Sequence, residues 1–276
     1  MSRSPSDADV DAFRRDGAVC LRGLLDADQL ALAAAGIEAV LADPSPLAIQ
    51  AAPPGQGSFA EDFRNWKRVP AIETLARCGA VAGAAARLTG STRVRLHHDH
   101  VLVKEAGTAQ RTPWHQDQPY YDIDGHQTVS FWIPVDPVPR ASTLELVAGT
   151  HRGPWLMPRT FLAREAQWFP EGSLAELPDI DADRDAFEIL GWELDPGDVV
   201  CFHMLTVHGA GGFTGPGRRR VLSLRYTGDD VVRRARPWRT SPPFPELADE
   251  LADGAPFDHP LFPVVWPGTA EHDRIR

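Results

Sequence analysis

The densest chemistry in the chain lies in Thr112-Pro113-Trp114-His115-Gln116-Asp117-Gln118-Pro119-Tyr120-Tyr121. On a β-strand, residues i and i+2 leave the backbone on the same side, so His115 and Asp117 would aim an imidazole and a carboxylate at one point. A metal there needs a further ligand. His208 is the candidate, at the end of the apolar run Val199-Val200-Cys201-Phe202-His203-Met204-Leu205-Thr206-Val207. Two imidazoles and one carboxylate on one face of an ion leave its other positions open, which is the ligand set of non-haem Fe(II) oxygenases. Beyond His208 stands Arg219, next to the strand-like run Arg220-Val221-Leu222-Ser223-Leu224-Arg225-Tyr226. A guanidinium can grip a carboxylate through two parallel hydrogen bonds. An oxygenase that consumes 2-oxoglutarate needs such a grip on the far carboxylate of its co-substrate.

Rival residues are present. His97-His98-Asp99-His100 contains a second His-x-Asp pair. It lacks the Thr-Pro-Trp approach, so His98, Asp99 and His100 read instead as polar residues of a core or cavity wall. His203 competes with His208. Its odd separation would turn it to the opposite face of a regular strand, whereas Gly209-Ala210-Gly211-Gly212 and the spacing to Arg219 favour His208. Gln118, Tyr120, Trp132 and His100 are candidates for a substrate pocket, with ordinary packing as the competing explanation.

These residues need a scaffold. Residues 7–16 predict a short helix, and 17–21 a strand. Asp26-Ala27-Asp28-Gln29 has the pattern of a capping box opening an Ala/Leu-rich helix that Pro44 stops. Residues 44–57 read as a loop, and Pro70 precedes one more helix over about 71–89 closed by Gly90. After Gly90 the runs 93–104, 128–135, 143–147, 198–206 and 220–227 are β-type, and Asp195-Pro196-Gly197-Asp198 is a turn. Helices followed by many strands predict a mainly β (α+β) fold, an antiparallel core with the N-terminal helices packed on one side. The expected organisation is a single domain, 1–276: a helical part to about 90, a β core over about 91–230, and an extension from about 231. An insertion at about 151–190, holding Trp155, Phe161, Trp168 and Phe169, is a candidate lid. In the extension Trp238, Phe244, Phe257, Phe262 and Trp266 are expected packing anchors.

Composition narrows the function classes. With 276 residues and 43% hydrophobic content the chain can bury a sizeable core. A net charge of −10 disfavours nucleic acid and anionic membrane as partners. No apolar run is long enough to span a bilayer, the first residues lack a signal-peptide pattern, and Cys20, Cys78 and Cys201 lack CxxC spacing. A cytoplasmic protein, a monomer or weak homodimer, is the expectation. G-x-S-x-G and G-x-G-x-x-G signatures are lacking, which argues against serine hydrolases and dinucleotide enzymes.

Thr112-Pro113-Trp114-His115-Gln116-Asp117, Ser142-Thr143-Leu144-Glu145-Leu146-Val147-Ala148-Gly149-Thr150-His151-Arg152, Gly197-Asp198-Val199 running to His208-Gly209, and Arg219 onward together resemble the phytanoyl-CoA dioxygenase family, collinearly from about residue 10 to 266. The resemblance implies a double-stranded β-helix (a jelly-roll, cupin-like core), with Fe(II), 2-oxoglutarate and O2. It implies iron ligation by His115, Asp117 and His208, and a co-substrate site of Arg219 helped by Thr128, with Lys67 as a looser match. The sequence departs from the family at Ala141-Ser142-Thr143, where Asn-Gly is usual at the edge of the site. Retention of Asp117 points to hydroxylation or another oxidation rather than halogenation, because related halogenases carry Gly or Ala there. A small-molecule hydroxylase is the leading reading. A cupin-like metalloenzyme with non-oxidative chemistry, which would not need Arg219, and a non-catalytic metal- or 2-oxoglutarate-binding protein are the alternatives.

Overall fold

Helix ends near the N-terminus are set by short polar residues and glycines. In the computed structural model, which describes residues 4–55, 57–157, 169–213, 215 and 217–267, Ser6 and Asp9 form a capping box on α1 (Asp7–Asp16), which Gly17 ends at φ 78°. A side chain at Gly17 would also strike His151 and Thr206. β1 (Ala18–Leu21) follows, then α2 (Ala27–Ala42), opened by the expected box between Asp26 and Gln29. The helix expected over 71–89 is two, α3 (Pro70–Arg77) and α4 (Gly79–Thr89), because Cys78 is extended at φ −65°, ψ 142°. Cys78-Gly79 is a weak helix-forming pair, so the break is cheap there. The stretch read as a loop holds β2 (Ile49–Gln50), which pairs in a hairpin with β3 (Phe59–Phe63) just beyond it.

The β part comprises β4 (Val94–Glu105), β5 (Thr112–His115), β6 (Ile123–Asp124), β7 (Thr128–Pro134), β8 (Leu144–Val147), β9 (Ile189–Leu190), β10 (Val199–Phe202), β11 (His208–Ala210), β12 (Arg218–Thr227), β13 (Val232–Arg233) and β14 (Val264–Trp266), with the short helix α5 (Leu247–Glu250) before the last. The strand expected over 198–206 stops at Phe202, where the chain turns. The major sheet runs β1-β10-β7-β12-β4-β3-β2, with β14 also on β4; the minor sheet runs β5-β11-β8-β9, and β13 pairs with β6. Both larger sheets are antiparallel and open at their edges, a jelly-roll sandwich rather than a closed barrel.

Period-two alternation decides what each face of the major sheet does. Val129, Phe131, Ile133, Val199, Cys201, Leu222 and Leu224 point outward and bury Ile37, Ile72, Leu75 and Val81 of the helices. Each such side chain contributes about 1.5–3 kcal/mol on burial. The residues between them point inward. Trp132, Val200, Phe202 and Val221 meet Leu144, Leu146 and Ala210 of the minor sheet. On β12 this same inward face carries Arg219, Ser223 and Arg225, paired in register with Lys104, His100 and His98 of β4.

The extension behaves as anchors. Phe244, Phe257 and Phe262 are buried in one cluster, Trp266 packs on the main core, and the Trp238 indole donates to the Pro119 carbonyl at 2.9 Å. Of the candidate lid, Phe161 and Trp168 lie outside the described residues. No helix among the described residues is long and apolar enough to cross a membrane.

Candidate metal centre

His115 is the last residue of β5 and faces His208 of β11 directly in the register. Asp117 is not on that strand, as the i, i+2 argument assumed. It sits in a turn with helical backbone, φ −73°, ψ −46°. The turn is held by Asp117 and Gln118 N–H groups donating to the Met204 carbonyl at 2.9 and 3.0 Å. Gln116 ties it further, donating to Leu205 O at 2.8 Å and accepting from Leu156 N–H at 2.8 Å. The convergence survives with a different backbone: Asp117 Oδ1 stands 3.6 Å from His115 Nε2 and 3.6 Å from His208 Nε2. The donor atoms of the three residues lie within 4.8 Å of one another.

The surroundings prepare these groups as ligands. His115 Nδ1 donates to Pro113 O at 2.8 Å and His208 Nδ1 to Thr206 O at 2.9 Å, so each Nε2 presents its lone pair. Burial, then the neighbouring His115, pushes His208 down to about 3, which keeps it neutral. Burial would raise Asp117, yet the Arg225 guanidinium and the two histidines outweigh it and hold the carboxyl well below its usual range. Arg225 Nη2 lies 3.3 Å from Asp117 Oδ2, and Ser130 Oγ donates to the same oxygen at 3.0 Å. Arg225 is fixed in turn by Tyr121, whose hydroxyl accepts from Nε at 2.6 Å. Oδ2 is thus engaged by protein and Oδ1 is left toward the histidines.

The cluster opens into a cavity that Arg219 also lines. Arg219 is 4% exposed, and burial pushes it down to about 10, so it stays a cation at neutral pH. Its Nη1 donates to the Ser142 carbonyl, in the segment where the sequence departs from Asn-Gly, and the Trp132 ring lies 5.5 Å away. Its Nε has no hydrogen-bond partner among the described residues, and no described carboxylate lies within ion-pair distance.

Other expected site residues divide. Tyr120, Trp132 and His100 line the cavity. Gln118 does not; it is buried and donates to Gly125 O at 2.9 Å. Thr128 is kept apart from Arg219. It pairs with Thr227 at one end of β12, whereas Arg219 pairs with Lys104 at the other. Lys67 is exposed, its amine 5.4 Å from the Trp66 ring. His203 closes the turn after β10, its Nε2 donating to His126 O at 2.8 Å and its Nδ1 accepting from Leu205 N–H at 3.0 Å. The rival pair is structural: His97 packs among Tyr121, Phe244, Phe257 and Phe262, and Asp99 accepts from the Asn65 and Trp66 N–H groups.

The family model described as phytanoyl-CoA dioxygenase matches residues 13–221. The chain belongs to the phytanoyl-CoA dioxygenase family. A probable phytanoyl-CoA dioxygenase of Caenorhabditis elegans is 30% identical over 186 residues, 63% of this chain and 54% of that one. The peroxisomal phytanoyl-CoA dioxygenase of Rattus norvegicus is 29% identical over 142 residues, 48% of this chain and 39% of that one. The chain therefore matches only about half, or less, of these relatives' lengths. Among solved structures, the non-heme alpha ketoglutarate dependent carbocyclase SnoK from nogalamycin biosynthesis shares the fold at TM-score 0.75 and 22% identity, covering 96% of this chain and 99% of SnoK. The epimerase SnoN in complex with Fe3+, alpha ketoglutarate and nogalamycin RO superposes at TM-score 0.72 and 22% identity, covering 94% and 98%. Within this family fold, sequence reasoning missed Arg225, Ser130 and Gln116. Arg225 was within reach, since it shares the parity of Arg219 on one strand; Ser130 and Gln116 gave no such signal.

Proposed function

We propose that this chain is an Fe(II)- and 2-oxoglutarate-dependent dioxygenase that hydroxylates a small molecule. One joint observation carries the reading: the His115, Asp117, His208 cluster and a buried, carboxylate-free Arg219 line the same cavity. When bound, Fe(II) with 2-oxoglutarate and O2 supplies oxidation of a substrate C–H bond, with release of succinate and CO2. The residues fit those groups. Three lone pairs converge on one point, and a guanidinium with an unpartnered N–H waits for an anion. A non-oxidative metalloenzyme would have no use for that guanidinium, and burying it without an anion costs several kcal/mol.

His115, Asp117 and His208 would hold the metal, Arg225 and Ser130 orient Asp117, and Arg219 takes the far carboxylate of 2-oxoglutarate. Trp132, Leu144, Phe202 and Ala210 line the cavity and keep water from these groups. The relatives are named for an acyl-CoA. This chain carries a net charge of −10, which suits that polyanion poorly, so a different small molecule is the proposed substrate. The reading takes residues 1–276 as one working unit in the cytoplasm, a monomer or weak homodimer, consistent with three free cysteines.

The test is succinate formation. Purified protein given Fe(II), 2-oxoglutarate and air should convert 2-oxoglutarate to succinate, slowly without substrate, and both Asp117→Ala and Arg219→Ala should abolish it. Conversion that persists undiminished in either variant would overturn the proposal.

A further inference from the structure

The cavity holds a second polar feature to which metal and co-substrate assign no task. Glu61 of β3 and His100 of β4 both line it, and each side chain is 10% exposed. In the register Phe63 lies opposite His100 and Glu61 opposite Leu102, so these four share one wall. The His100 ring stacks on Phe63 at 4.0 Å. Its Nε2 stands 3.5 Å from Glu61 Oε1 and has no hydrogen-bond partner among the described residues. Burial lowers His100 from its ordinary value, so the imidazole is neutral and gives Glu61 no counter-charge. No described Lys or Arg lies within ion-pair distance of Glu61.

A buried carboxylate without a cationic partner therefore stands beside the His100 ring, whose Nε2 is a second acceptor when its proton is on Nδ1 and points a donor at Glu61 when it is not. A hydroxyl offers such a pair one proton, whereas an ammonium offers three donors and the charge that a buried carboxylate lacks. Around them the wall is apolar. Ile49, 50% exposed at the cavity mouth, Phe63 and Tyr120 line the same space. A net charge of −10 draws cations toward the protein.

We propose that Glu61 and His100 anchor the substrate, and that the substrate is a small amphiphile whose protonated amine seats between them while its apolar body lies along Ile49, Phe63 and Tyr120. This rests on the oxygenase reading, since the anchor serves the same cavity, and the two fail differently. Formation of the visible Fe(II)–2-oxoglutarate absorption under anaerobic conditions, in wild type and in Glu61→Gln, tests the co-substrate reading and the integrity of the variant. The anchor is then tested by calorimetric titration of that complex with three probes of matched shape: phenethylamine, phenethyl alcohol and phenylpropionate. Phenethylamine is expected to bind wild type roughly tenfold or more tighter than either of the others, and Glu61→Gln to erase the preference. Equal affinities, no binding of any probe, or a preference that survives in Glu61→Gln would overturn the anchor while leaving the absorption intact. The wild-type comparison stands alone if the variant does not fold.

Discussion

Asp117 can serve as a one-oxygen ligand because its other oxygen is engaged by Arg225 and Ser130. Removing that hold should loosen the metal without removing a ligand. Ser130→Ala and Arg225→Met are expected to weaken Fe(II) or Mn(II) binding by about 10–100-fold, the effect usual for groups that orient ligands. Titration followed by calorimetry checks this, and unchanged affinity would contradict the role. Arg219→Gln has the complementary signature: 2-oxoglutarate affinity should drop by about 30-fold or more, as for loss of a buried charge partner, with metal affinity unchanged. The ligands themselves were legible in the sequence because residue type and order suffice to mark them. Arg225, Ser130 and Glu61 were not singled out, because their roles arise from contacts across strands that no local spacing encodes. Thr128 illustrates the converse. The family resemblance implied a co-substrate contact, but the register of β7 on β12 carries it to the far end of the strand.

At the scale of elements, alternation along β12 did much of the work. Leu222 and Leu224 go to the helices while Arg219, Ser223 and Arg225 line the cavity, and that pattern can be read directly from the sequence. The hairpin of β2 and β3 could not. Phe59-Ala60-Glu61-Asp62-Phe63 is short and acidic, and its alternation makes sense only once β4 is beside it. The break at Cys78 was hidden for a related reason: an Ala-rich run favours helix throughout, and only tertiary packing sets where it turns. That packing is tight between α2 and α3. A Cβ on Gly36 would sit 2.7 Å from Ile72 Cγ1. Gly36→Leu should therefore destabilise the protein by about 1–3 kcal/mol despite leucine's better helix propensity. The urea unfolding midpoint reads this out; a midpoint that rises would mean the helices have room to spare.

Over the whole molecule, burial leaves several histidines neutral within the fold. His97 is pushed down to about 3 and His203 to about 4, both chiefly by burial, and His98 is driven well below its ordinary value for the same reason. The unfolded chain takes up these protons near pH 6.5, where the fold refuses them. The stability they carry is therefore full above pH 6.5 and is lost as pH falls toward the folded values. Asp99 runs the other way, since burial raises it to about 6 and the fold then gains protons first between about 6 and 4. With His208 counted when no metal is bound, four buried histidines outweigh one carboxyl, so the metal-free protein should be roughly 4–5 kcal/mol less stable at pH 5.5 than at pH 7.5. Urea midpoints at the two values decide it, and a flat profile would contradict the account of the core.

The most direct measurement of the central claim is anaerobic and spectroscopic. Adding Fe(II) and then 2-oxoglutarate to the wild-type protein should raise a visible absorption band that saturates at one equivalent of metal, fails to appear in His208→Ala, and needs far more 2-oxoglutarate in Arg219→Gln. A wild-type protein that binds Fe(II) yet shows no band at saturating 2-oxoglutarate, or a band that His208→Ala retains, would contradict it.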